Sequence, residues 1–227
     1  MELTTTIKKL EEIKKELDKS SSLLIEEEAK KLDLIIYDLK LDLLNTSTTG
    51  TLNKARNKKI SAWHKKQLKS CRPVLAYCNY VNDYQIITDG NFLVALADPD
   101  KTELISDYKE TKRTYPETTA ILNNTIKSFL NDNITLDIEK LTAIFKLHEY
   151  IYIMKDNSLY TAINRDNFNN LITFLNISSN ADITNITIYN NYFLNIQTAS
   201  GSYGTLCLIK TNENHKRFIN EENTVNI

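Results

Sequence analysis

The sequence predicts an α+β protein, with helices on one face of antiparallel sheets and a helical hairpin in front. Three observations carry this. An amphipathic helical stretch followed by a meander of short β-rich segments occurs more than once along the chain. Turn dipeptides punctuate those segments. The first 44 residues, in contrast, follow only the helical period.

In the first segment Leu3, Ile7, Leu10, Ile13 and Leu17 recur at helical spacing with Lys and Glu between them. Ser20, Ser21 and Ser22 interrupt, and one of them can cap a second helix. In that helix Ile25, Ala29, Leu32, Ile36, Leu39 and Leu43 keep a heptad rhythm, and Leu24, Ile35 and Leu41 widen the stripe. Two readings stand. The six heptad residues form an oligomerisation seam with another subunit, or the hairpin folds back on its own domain.

Residues 45–57 are polar and rich in Thr and Ser, and read as a linker. Ile60–Cys71 reads as an amphipathic helix. Ile60, Trp63, His64, Gln67 and Leu68 share one face, and Lys58, Lys65, Lys69 and Arg72 the other, with Lys59 and Lys66 at its margin. Pro73 ends it. Val74–Val81, Tyr84–Thr88 and Phe92–Ala97 are β-rich and separated by Asn82-Asp83 and Asp89-Gly90. A connecting stretch holds Tyr115-Pro116 and a short helix within Thr119–Leu130.

The pattern then returns. Ile134–Asp137 reads as a strand and Ile138–His148 as a helix with Leu141, Ile144, Phe145 and His148 inward. Tyr150–Met154 and Leu159–Ile163 form a hairpin across Asp156-Asn157. A helix over 165–176 precedes strands at Ile183–Tyr189, Tyr192–Thr198 and Gly204–Lys210, and the chain from 212 to 227 reads as a flexible tail. The division is thus 1–44, 45–57, 58–211 and 212–227, with an internal repeat inside the third part.

Charge is segregated although the net charge is only −1. Residues 1–44 carry −3 and residues 73–227 carry −6, whereas residues 45–72 hold eight basic side chains and no acidic one. Those eight are Lys54, Arg56, Lys58, Lys59, Lys65, Lys66, Lys69 and Arg72. The block reads either as a polyanion-binding surface or as a solvated basic helix beside the acidic N-terminal segment.

Lys69-Ser-Cys-Arg-Pro-Val-Leu75, then Tyr84-Gln-Ile-Ile-Thr-Asp-Gly90, then Phe92-Leu-Val-Ala-Leu96, resembles a half-domain of the bacterial DNA sliding clamp, the beta subunit of DNA polymerase III. Tyr160–Lys210 repeats the strand-helix-three-strand order, so the resemblance covers about residues 58–211. Phe92 stands where the family often has a basic residue, and the chain has room for one clamp domain. The resemblance implies a non-enzymatic DNA-clamp-like accessory protein, with the eight basic residues on the DNA backbone. It implies partners among duplex DNA, further copies of the chain, and replication or phage proteins. The Asn-, Ile- and Lys-rich usage points to an AT-rich genome, such as that of a phage or prophage. The competing expectation is a protein-interaction module with the same fold and no DNA binding.

Other chemistry is thinly represented. His64, His148 and His215 lie far apart, with no His or Cys at metal-ligand spacing, so no metal or cofactor is expected. Cys71, Cys78 and Cys207 form no CxxC pair, and Cys71 and Cys78 read as reduced packing residues in a cytoplasmic protein. Asp83 and Asp89 read as turn residues rather than paired carboxylates. Trp63 reads as core rather than a base-stacking platform. No P-loop, dinucleotide fingerprint or nucleophile elbow occurs, and no apolar run is long enough for a membrane span.

Overall fold

The helical period of the first residues produces α1 (Leu3–Leu17) and α2 (Leu23–Thr46). The computed structural model describes residues 3–19, 23–46, 53–98, 100–108, 114–130, 134–156, 158–190, 192–211 and 215–227. In it α1 packs along α2, and α3 (Lys54–Leu68) packs on α2 and on a 3-10 turn at Pro73–Ala76. Ile7, Ile36, Ile60, Trp63 and Leu75 are buried there. These elements belong to one compact unit, Met1–Tyr80 with Thr102–Pro116. The other is Val81–Lys101 with Glu117–Ile227.

The first unit contains a buried polar tie as well as an apolar core. Tyr77 Oη donates to Asp33 Oδ2 at 2.5 Å, and Lys14 Nζ lies 2.8 Å from Asp18 Oδ2 and 3.4 Å from Asp33 Oδ1. Burial opposes the charge on Lys14, but Asp33 and Asp18 more than offset it and leave its pKa raised. Burial raises the Asp33 carboxyl despite the same ammonium. Lys14 also lies 5.6 Å from the centre of the Tyr77 ring.

The remaining elements, in chain order, are β1 (Asn79–Val81), β2 (Tyr84–Thr88), β3 (Phe92–Leu96), α4 (Thr119–Ser128), α5 (Ile138–Ile144), β4 (Tyr150–Lys155), β5 (Ser158–Asn164), α6 (Arg165–Phe174), β6 (Ile183–Tyr189), β7 (Phe193–Thr198), β8 (Tyr203–Cys207) and β9 (Thr224–Asn226). A six-stranded antiparallel sheet runs β1-β2-β3-β8-β7-β6, and a three-stranded sheet runs β5-β4-β9. The α+β class expected from the sequence is therefore observed. Asn82 and Asp83 both take positive φ, 48° and 67°, as a tight hairpin turn requires.

Helices cover both faces of the large sheet, not one. Leu122 of α4 packs with Ile86, Leu93 and Ala95, and Thr125 bonds Thr205, the register partner of Leu93. Phe174 of α6 packs against Phe92 with the rings tilted and their centres 5.7 Å apart, and the Phe92 side chain points the other way along β3. All five residues of β3 are accordingly buried, the outcome an unbroken apolar run favours. Gly204 permits the close approach of α6, because a Cβ there would sit 2.6 Å from Leu175 Cδ1 and 2.8 Å from Leu171 Cδ1.

Several expected boundaries move. Residues 54–57 are the first turn of α3 rather than linker, while 47–52 lie outside the described residues. The strand expected at Val74–Val81 shortens to β1, because Pro73 starts a 3-10 turn. Ile134–Asp137 is not a strand. Ile134 N makes one bond to Ile186 O, and Asp137 instead caps α5 by accepting from Lys140 N at 3.0 Å. The helix there stops at Ile144. In the expected tail 212–214 are not described, but Thr224–Asn226 pairs in parallel with β4, since Val225 has an apolar site beside Ile153. The serines at 20–22 lie outside the described residues.

Candidate nucleic-acid interface

α3 is built from two opposed faces. Its inner face buries Asn57, Ile60, Ser61, Trp63, His64 and Leu68. His64 Nδ1 donates to Ala76 O at 2.8 Å and its ring stacks on Tyr37 at 4.3 Å. Burial, helped by the nearby Lys40 and Lys65 charges, drives the His64 pKa down to about 4. Burial likewise raises the Tyr37 hydroxyl. Trp63 is 5 % exposed, so it is core and has no face to offer a base.

The outer face holds the basic block. Lys54, Lys58, Lys59 and Lys66 are exposed on the helix, and Lys69 and Arg72 are exposed just after it. At about 100° per residue, Lys54, Lys58, Lys65 and Lys69 form one row and Lys59 and Lys66 a second, across an arc of about 140°. Ala55 and Ala62, also exposed, fall between the rows. Those alanines were not among the residues the sequence singled out. Their spacing of one heptad is the signal that finds them, and their small side chains let a ligand approach the backbone closely. The first row is about 22 Å long at the helical rise.

Lys65 and Arg56 stand apart from the others because both are half-buried. Lys65 Nζ pairs with Asp38 Oδ1 on α2 at 2.7 Å. Among the described residues no carboxylate lies within ion-pair distance of Lys54, Lys58, Lys59, Lys66, Lys69 or Arg72. The acidic hairpin mostly pairs within itself, as in Lys40–Glu11 at 2.6 Å and Lys31–Glu28 at 2.6 Å.

No family model, curated protein or solved structure matches this chain.

The helix carries some of its cations against local preference, although Lys65 and Lys66 in the last turn and Lys69 at the C-cap lie at the end the helix dipole favours. Lys54 and Arg56 occupy the first turn, which has no acidic residue, and the N-terminal end of a helix dipole disfavours cations by about 0.3–1 kcal/mol each. Lys54/Lys58 and Lys65/Lys69 are like-charge pairs four residues apart, each unfavourable by about 0.2–0.5 kcal/mol. Asn53 makes no side-chain capping bond that would offset this.

The other singled-out residues fall elsewhere. Of the heptad residues on α2, Ala29 and Ile36 are buried within the chain, and Ile25, Leu32, Leu39 and Leu43 are half-buried. Since α2 packs on both α1 and α3, the fold-back of the hairpin accounts for much of that wide stripe. Asp89 is a turn residue whose Oδ1 accepts from Asn91 N at 2.8 Å and Phe92 N at 3.2 Å. The three cysteines are free; Cys78 is buried as expected, but Cys71 is exposed because α3 ends before it. His148 is only half-buried, since its helix stops short, and the His215 side chain is outside the described set. Among the described residues no cluster of His, Cys, Asp and Glu could hold a metal, and no helix is long and apolar enough to cross a membrane.

Proposed function

We propose that the protein is a non-enzymatic, clamp-like accessory protein that binds the DNA backbone through the outer face of α3. The observation that carries this reading is the pair of lysine rows flanking Ala55 and Ala62, all exposed but Lys65, and apart from Lys65 with no carboxylate within ion-pair distance among the described residues. A bound polyanion would offset the unfavourable charge in the first turn and between like-charged neighbours. Lysines without a base-reading aromatic or amide beside them contact phosphates and carry no sequence preference.

The strand order supports the clamp resemblance. Two meanders, β1-β2-β3 and β6-β7-β8, join through their last strands, so the order reads symmetrically from either edge. Each meander follows a helix in the chain, α3 and α6. Ala29 and Ile36 are buried inside the chain and are taken up by its own packing. Encirclement of a duplex would need copies that associate through a different surface.

A second reading has one observation in its favour, the Lys65–Asp38 pair. Under it the basic helix serves contacts with acidic protein surfaces, beginning with the chain's own hairpin. Duplex binding measured at about 50 and 200 mM salt separates the two. If about six phosphates are engaged, affinity falls roughly a thousandfold over that range, a log–log slope near −5. Lys58→Glu/Lys66→Glu/Lys69→Glu, three exposed positions, abolishes binding and leaves the fold intact. Lys65→Glu is a poor choice, because it places a carboxylate beside Asp38. Wild-type protein that ignores duplex at low salt excludes the DNA reading and leaves the protein-interaction one.

A further inference from the structure

The second unit contains a cavity of about 450 Å³ that no sequence motif announced. One wall is His148, Glu149 and the first half of β4, Tyr150 and Tyr152; the other is Phe218, Asn220 and Asn223. The volume is within the usual range for a small-ligand site, about 300–1,000 Å³.

The second wall is tied in place before any ligand arrives. Asn223 is 5 % exposed; its Nδ2 donates to Phe218 O at 2.8 Å and its Oδ1 accepts from Asn220 N at 2.9 Å. Asn220 Oδ1 in turn accepts from Glu222 N and Asn223 N, both at 3.1 Å. Immediately beyond, Thr224 is in register with Tyr152 through the β9–β4 pairing. A preformed wall saves the ordering cost that would otherwise weaken binding.

The chemistry of the lining selects the ligand. Three phenyl or phenol rings and an imidazole line a space with one carboxylate in its wall, Glu149. A second, Glu222, has its Oε2 3.8 Å from His148 Nε2, a nitrogen that is buried with no hydrogen-bond partner among the described residues. Among the described residues no Lys or Arg lines the cavity. An anion would enter beside the Glu149 carboxylate, with no described Lys or Arg in the lining to meet it. A sugar would find the Asn223 amide and the Asn220 carbonyl oxygen already engaged in their own turn. An organic cation meets both things it needs: ring faces, which attract it through their quadrupoles, and nearby negative charge.

We infer that this cavity binds an organic cation of the quaternary or methylated ammonium class, with Tyr150 and Phe218 as ring walls and Glu149 and Glu222 as counter-charge. The inference is independent of the basic face of α3. A free small molecule and a methylated lysine side chain of a partner peptide share this chemistry.

The test is a chemical-shift titration of the full chain with choline, with a trimethyllysine peptide, and with 3,3-dimethylbutanol, the uncharged isostere of choline. The expected result is saturable shifts of the Tyr150 and Phe218 rings by at least one cation, about fivefold tighter than by the alcohol. Phe218 is 68 % exposed and the Glu222 side chain 81 %, so Phe218→Ala and Glu222→Gln leave the core alone. Each weakens the cation by about fivefold, and Glu222→Gln leaves the alcohol unchanged. Tighter choline assigns the small molecule and a tighter peptide assigns the side chain. Equal binding of the alcohol, insensitivity to both substitutions, or no shift from either cation overturns the inference.

Discussion

His64 shows what one residue of the basic segment does for the fold. It sits four positions after Ile60, at the depth of the core, and its ring is held neutral by burial with a pKa of about 4. In the unfolded chain the same imidazole titrates near 6.5. The unfolded state therefore binds a proton that the folded state refuses. Stability from this residue is complete above about pH 6.5 and is lost as pH falls toward 4. Between pH 7.5 and 5.5 the linkage amounts to roughly 1–1.5 kcal/mol of lost stability. Urea unfolding followed by Trp63 emission measures it, since Trp63 is the one Trp and is buried on the same helix face. Asp33 works in the opposite sense, because burial raises its carboxyl, so the decisive comparison is His64→Gln, which removes the wild-type slope. An unchanged slope in that variant would place the effect elsewhere. That His64 is core was legible from the apolar neighbours at helical spacing; its bond to Ala76 O was not, because it depends on how the chain turns after Pro73.

At the scale of elements, the parts that were legible are those whose signal is local. α6 begins at Asn164, whose Oδ1 accepts from Asp166 N at 3.0 Å and Asn167 N at 3.1 Å, and Phe168 and Leu171 follow at the core-facing spacing. Asn164→Ala should cost about 1 kcal/mol in chemical unfolding, and Asn164→Asp should restore most of it. A loss below the measurement error would show that sheet packing alone fixes the start of the helix. The hairpin turns were legible for the same reason, since Asn82, Asp83 and Gly90 tolerate positive φ where other residues are strained. The parts that were missed depend on partners far along the chain. β9 exists because β4 offers it a parallel edge, and the segment 134–137 fails as a strand because Ile134 N makes one bond to Ile186 O while Asp137 turns to cap α5, its O accepting from Leu141 N. The second helix-covered face of the large sheet was written in the unbroken run Phe92–Leu96, which was read only as β-rich. Of the candidate site, the eight cations were legible from composition, whereas the separation of Lys65 and Arg56 from the exposed six needed the packing of α2 on α3.

The whole molecule is organised by returns of the chain rather than by consecutive blocks. Residues 102–116 come back to the unit that holds α1, α2 and α3, where Cys78 N donates to Ser106 O at 2.9 Å and Tyr108 N to Cys78 O at 2.8 Å. The charge step at residue 45 therefore marks a change in surface chemistry and not the edge of a fold. α3 owes its inner face to α2, through the Tyr37–His64 stack and the Lys65–Asp38 pair, so the basic stripe is presented by the hairpin behind it. Removing residues 1–57 would strip α1, α2 and the first turn of α3 while keeping six of the eight cations. Burying one large apolar side chain contributes about 1.5–3 kcal/mol, and Ile60, Trp63 and Leu68 would all lose part of their cover. The shortened chain should show red-shifted Trp63 emission, self-associate, and bind duplex DNA with a weakened and shallower salt dependence. Native-like emission with full salt-sensitive binding would mean instead that the helix is ordered without the hairpin. The N-terminal helices would then be free for a separate role, which is the arrangement the heptad rhythm on its own favours.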